Sequence, residues 1–117
     1  MAAPNLLTSV TVTGKTAVAN VITSATAFLT NSAASGKVLK VNSLIVSNIN
    51  GTASADISID LYRSSYPYYI AKTISVPADS SLDILNKAIY LEEGDELRGL
   101  ASANSYLQVV CSYEDIS

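Results

Sequence analysis

Four carboxylates crowd one short stretch of the 117-residue chain: Glu92, Glu93, Asp95 and Glu96 surround Gly94. Carboxylates this dense could hold Ca²⁺ through oxygen ligands, but their spacing is not that of an EF-hand loop. The alternative is a solvated turn in which Gly94 supplies backbone freedom and the acids keep a sheet edge soluble. A glycosidase pair could be drawn from the same acids. Neighbours on one turn, however, do not fix a separation across a substrate. Gly14-Lys15-Thr16 has the ending of a phosphate-binding loop, yet Ser9 stands where that loop needs its first glycine, and the residues after it do not read as a helix. Cys111 is the single cysteine, so an intrachain disulfide and a cysteine-based zinc site are excluded. It falls inside an apolar run and reads as a small buried hydrophobe. Neither catalytic residues nor a metal or cofactor are expected.

Tyrosine is the other residue type with something to offer. Tyr62, Tyr66, Tyr68 and Tyr69 fall in or beside one stretch. Tyrosine supplies a large contact area for little entropy loss, so an interface is a natural use for at least two of them. Charge is unevenly placed. No Asp or Glu occurs before Asp56, while Lys15, Lys37 and Lys40 do; the first part is +3 and the remainder, with ten acids against Arg63, Lys72, Lys87 and Arg98, is −6. Such asymmetry can steer docking onto an acidic surface. Three scattered lysines neutralise few phosphates, so nucleic acid is not an expected partner. Apolar stretches are interrupted by Ser, Thr or Asn, so no membrane span is expected, nor is a signal peptide.

These residues need elements to carry them, and the periodicity predicts an all-β chain. At 49% hydrophobic and 15% charged residues it should fold as one domain. Residues 1–6 (MAAPNL) read as an extended N-terminal arm, and residues 7–117 as a single antiparallel two-sheet β-sandwich. Residues 7–13 look like a first strand ended by a Gly14-Lys15 turn, and 17–30 like a second. Val38 to Ile49 reads as a buried central strand. Asn50-Gly51 is a type I′ hairpin signal. It also opens a formal glycosylation triplet with Thr52, which the hairpin explains better. In Asp56 to Tyr62 the alternation places Ile57, Ile59 and Leu61 inward and Asp56, Ser58, Asp60 and Tyr62 outward. In the strand at 68–76, Ile70, Thr73 or Ile74 and Val76 compete for the inward face. Short strands follow near 82–85 and 88–91, then 96–102. The last, 106–113, puts Leu107, Val109, Cys111 and Tyr113 on one face, and EDIS reads as a polar tail. About eight strands at this spacing suit a jelly-roll-like sandwich; an immunoglobulin-like sandwich has the same spacing, though the Cys and Trp marks of true immunoglobulin domains are missing.

Several segments follow one another in a telling order. Gly36-Lys37-Val38 leads to VNSLIVSNINGT, a strand ending LYRSS, IAKTISVPADSSLDIL, IYLEEGDELRGLAS and a closing VVCSYEDIS. From about Thr30 onward this resembles small virion structural proteins of tailed phages, notably marine and cyanobacterial ones. VPADSSL and LEEGDEL are its best marks. The resemblance implies a virion protein made in the host cytoplasm, of the capsid decoration (cement) type or from the neck, tail or fibre adaptor. It implies binding to the major capsid protein or other virion proteins, and a homo-oligomer, a trimer at local threefold axes. No catalytic residue carries over. In that setting Lys15, Lys37, Lys40 and the four tyrosines are the expected interface residues. A carbohydrate- or Ca²⁺-binding sandwich is the competing reading from another class.

Overall fold

The computed structural model describes residues 11–117. The arm expected over residues 1–6, and residues 7–10 of the expected first strand, lie outside the described residues. Nine strands are described: β1 (Val12–Val21), β2 (Thr26–Thr30), β3 (Val38–Asn48), β4 (Ala55–Arg63), β5 (Tyr66–Val76), β6 (Ser81–Asp83), β7 (Ile89–Leu91), β8 (Glu96–Ala101) and β9 (Leu107–Ile116). One sheet runs β1-β9-β3-β6, with β7 also on β3, and the other β2-β8-β4-β5. All pairs are antiparallel: β4 with β5, β3 with β6 and β7, β2 with β8, β1 with β9. With β6 and β7 sharing one strand position along β3, the chain is a long double ribbon wrapped across two sheets. This is the expected jelly roll.

The alternating residues fill the space between the sheets. Val41, Leu44, Val46, Ile57, Ile59, Leu91, Leu97, Leu107, Val109 and Cys111 have no exposed surface. On β9 the expected face forms, with Tyr113 packed at its margin. Burial pushes the Cys111 thiol up to about 11, as suits a packed hydrophobe and not a nucleophile. On β4, Ile57 and Ile59 point inward as expected and Leu61 is half-buried. Ser58 and Asp60 face outward yet are buried, because β4 is an inner strand flanked by β5 and β8.

Local turn signals fail at several places where long-range pairing takes over. Gly14-Lys15 does not turn: Gly14 pairs with Glu114 and Lys15 with Tyr113 in an unbroken ladder of β1 on β9. The break comes instead after Val21, so residues 17–30 form parts of two strands in different sheets. Asn50-Gly51 does not make a hairpin, since β3 and β4 belong to different sheets. Asn50 closes an Asx-type turn, its Oδ1 accepting from the amides of Thr52 (2.8 Å) and Ala53 (2.9 Å). The two-residue turn with positive φ at both central positions is Ser64 (53°) and Ser65 (60°), between Arg63 and Tyr66 of the β4–β5 hairpin. On β5 the expected Val76 is buried and Ile70 packs half-buried against the core, while Ala71 takes the inward place between them and Thr73 and Ile74 are exposed. Two register shifts cause this; at one, Thr73 (φ 54°) donates its amide to Ser58 Oγ at 2.9 Å. EDIS is no free tail. β9 runs to Ile116, which is buried between Val12 and Val38.

Candidate functional site

The β4–β5 hairpin carries the tyrosines. Tyr66, Tyr68 and Tyr69 are 61%, 56% and 49% exposed. Tyr66 and Tyr68 stand two residues apart on one face, with ring centroids 5.3 Å apart and planes at 63°, an edge-to-face pair. Tyr69 lies on the opposite face, across from Asp60, with the Lys72 ammonium 4.1 Å from its ring centroid. Tyr62 is different. The Arg98 guanidinium lies 3.8 Å over its ring and donates through Nε to Asp60 Oδ2 at 3.0 Å. Tyr62 thus helps cover a buried ion pair; Tyr66 and Tyr68 form an exposed ledge on one face of the hairpin, and Tyr69 is an exposed ring on the other.

The acidic turn between β7 and β8 locks this hairpin in place. Asp95 is 1% exposed. Arg63, the last residue of β4, grips it with two bonds, Nε to Oδ1 at 2.8 Å and Nη2 to Oδ2 at 2.6 Å. The same Nη2 donates to Glu92 Oε2 at 2.9 Å, and the Glu92 amide donates to Asp95 Oδ2 at 2.8 Å. Glu93 Oε2 accepts from the Gly36 amide at 2.9 Å. Gly94 takes the positive φ (88°) its place in the turn demands. Asp95, Glu92 and Glu93 thus tie three connections together, although Glu92 itself remains largely solvated. Among the described residues no group of three or more His, Cys, Asp or Glu is placed to hold a metal ion.

The lysines are drawn partly inward. Lys15 and Lys37 both donate to Asp115 Oδ2, at 3.1 and 3.2 Å. Lys40 sits in the ladder between Glu114 of β9 and Tyr90 of β7. The jelly roll pairs early strands with late ones, so the charge asymmetry along the chain is folded against itself. Burial favours a protonated Asp115 carboxyl, but hydrogen bonds and charge from Lys15 and Lys37 outweigh it and hold the group below its usual range. The same contact raises Lys15. A lowered carboxylate stabilises the fold above its unfolded value, near ~3.9, and that stabilisation is lost as pH falls through the lower folded value. Wild type should therefore lose stability below about pH 4 more steeply than Asp115→Asn, read as thermal midpoints across a pH series. Parallel acid limbs for the two proteins would show that the contact is not coupled to folding.

Sequence reasoning missed Arg63, Arg98, Asp60, Asp95 and Asp115 as partners. The bonded pairs lie 32 to 100 residues apart, and only the strand order brings them together. No protein-family model matches the chain, and no curated protein sequence matches it. Fold and site define a jelly-roll β-sandwich in which Lys15, Lys37, Arg63 and Arg98 pair with carboxylates from distant strands and Tyr66, Tyr68 and Tyr69 are exposed.

Proposed function

We propose that this chain is a non-enzymatic virion structural protein that decorates the head of a tailed phage, docking on the major capsid protein through the β5 tyrosines. The tyrosine ledge carries the reading. Tyr66 and Tyr68 are exposed together on one face of a hairpin whose turn end is clamped by Arg63 on Asp95, and Tyr69 is exposed on the other face. Exposed aromatics on a rigid support are what the centre of an interface uses, since little entropy is lost when they are covered. The strongest cations, Arg63 and Arg98, are committed to internal carboxylates, which fits a scaffold better than a reaction centre. The resemblance to small phage virion proteins supplies the setting.

Quantitative mass spectrometry of purified virions tests this directly. A copy number near that of the major capsid protein, or a simple fraction of it, is expected. A few to a few dozen copies would move the chain to the neck or tail, and absence from the particle would end the virion reading. The ledge is tested separately with the triple variant Tyr66→Ser, Tyr68→Ser, Tyr69→Ser added to heads lacking the protein. Each lost anchor is expected to weaken binding about tenfold or more. Unchanged binding by a folded triple variant would move the docking face elsewhere.

A further inference from the structure

Among the described strands, β1 is a long sheet edge with neither proline nor bulge. β9 pairs with it in an unbroken ten-residue register, and no described strand pairs with its other side. The remaining edges are guarded. β6 and β7 are three residues each, β2 is five residues with a bulge, and β5 carries Pro67 and two register shifts. Short strands, bulges and proline are the usual means of blocking edge-to-edge pairing. β1, with the sequence VTGKTAVANV, has neither proline nor bulge. Its single charge, Lys15, is turned onto Asp115. Val12 and Val18 are 58% and 71% exposed along it, with Ile22 just beyond at 41%.

We propose that β1 pairs antiparallel with β1 of a second copy of this chain, extending one sheet across a twofold axis. The occupant follows from self-complementarity. A twofold pairing that keeps outer faces together matches residues of like parity. The two registers that retain nearly all of β1 are centred on Thr16 and on Ala17. In the first, Lys15 meets the partner copy's Ala17; in the second, its Ala19. In neither does the only charge of the strand face its own copy, so the pairing opposes no like charges. At ~3.4 Å per residue the shared ladder is about 31 Å long, a narrow contact at the weak end of specific interfaces. A dissociation constant of roughly 1–100 µM is expected for the free chain. On a particle that holds copies side by side, effective concentration would favour the pair further.

The inference does not depend on the virion reading, because the free chain tests it. Sedimentation equilibrium of the full chain from about 1 µM to about 1 mM should show a monomer–dimer equilibrium. Hydrogen exchange of β1 amides should slow as concentration rises. The variant Thr16→Lys with Val18→Lys places two ammonium groups on the exposed outer face of β1. Centred on Thr16, the first meets its own copy; centred on Ala17, it meets the second. The variant should fold, with wild-type circular dichroism, and should associate at least a hundredfold more weakly. A wild type monomeric throughout, a folded variant associating as tightly as wild type, or a closed trimer would each overturn the proposal. Isologous pairing through one edge closes at two copies.

Discussion

Replacing Ile59 with aspartate is expected to abolish the native fold. Ile59 is fully buried on an inner strand, opposite Ala71 of β5 and Gly99 of β8. The change removes an isoleucine whose burial stabilises by about 2–3 kcal/mol. It also places a carboxylate where the surrounding core residues offer aliphatic contacts, at a further cost of several kcal/mol unless the group stays protonated. Domains of this size are stable by about 5–15 kcal/mol in total, so the sum approaches or exceeds what is available. Circular dichroism and amide proton dispersion should read as unfolded or aggregated protein. Ile59→Val should lose only about 0.5–1.5 kcal/mol and remain native, which separates a buried charge from a change of shape. A soluble, folded aspartate variant would mean that this position does not face the core.

The second large effect is expected at Arg63. Arg63→Met strips the charged partner from Asp95, leaving a nearly inaccessible carboxylate held by the amide of Glu92. Breaking a buried pair in this way costs about 3–5 kcal/mol. The Arg63 side chain is 42% exposed, so solvent screening favours the lower end of that range. Urea unfolding should show the loss as a lower midpoint with an unchanged slope. Adding Asp95→Asn should restore part of it, since the uncompensated charge causes most of the damage. A loss under ~0.5 kcal/mol would place Asp95 in a solvated site and detach the acidic turn from the hairpin. Because Arg63 pairs across the strands with Tyr66, the same substitution should loosen the tyrosine ledge. Head binding should then fall along with stability, although no exposed tyrosine has been altered.

These two cases divide what could be read along the chain from what could not. The inward face of β4 was legible because Ile57, Ile59 and Leu61 alternate with polar residues, and strand geometry sends alternate side chains to opposite faces. The same rule placed Leu107, Val109 and Cys111 together. The spacing of strands and turns pointed to a two-sheet sandwich, with the strand order that makes it a jelly roll supplied by the fold, and the cluster of tyrosines was visible as composition. The ends of the elements were less legible. Gly14-Lys15 and Asn50-Gly51 favour turns locally, but β1 is held straight by ten pairings with β9, and β3 must cross to the other sheet. The turn that the Ser64 to Pro67 stretch suggests does form, but at Ser64-Ser65, which take the left-handed conformations because the β4–β5 ladder closes there and draws Pro67 into β5.

The site depended still more on tertiary structure. Local pattern and residue type alone determined the all-β class, the core face of each clear strand, the crowded acids and the aromatic stretch. Partner choice was decided only by the fold. Asp95 meets Arg63, Asp60 meets Arg98, and Asp115 meets Lys15 and Lys37. The physical reason is that hydrophobic alternation is a short-range property, whereas an ion pair between residues far apart in sequence exists only after the sheets have chosen their strand order. The same choice left β1 as an open edge and turned Tyr66, Tyr68 and Tyr69 to solvent, since whether a strand lies inside a sheet or at its border is set by its neighbours and not by its own residues.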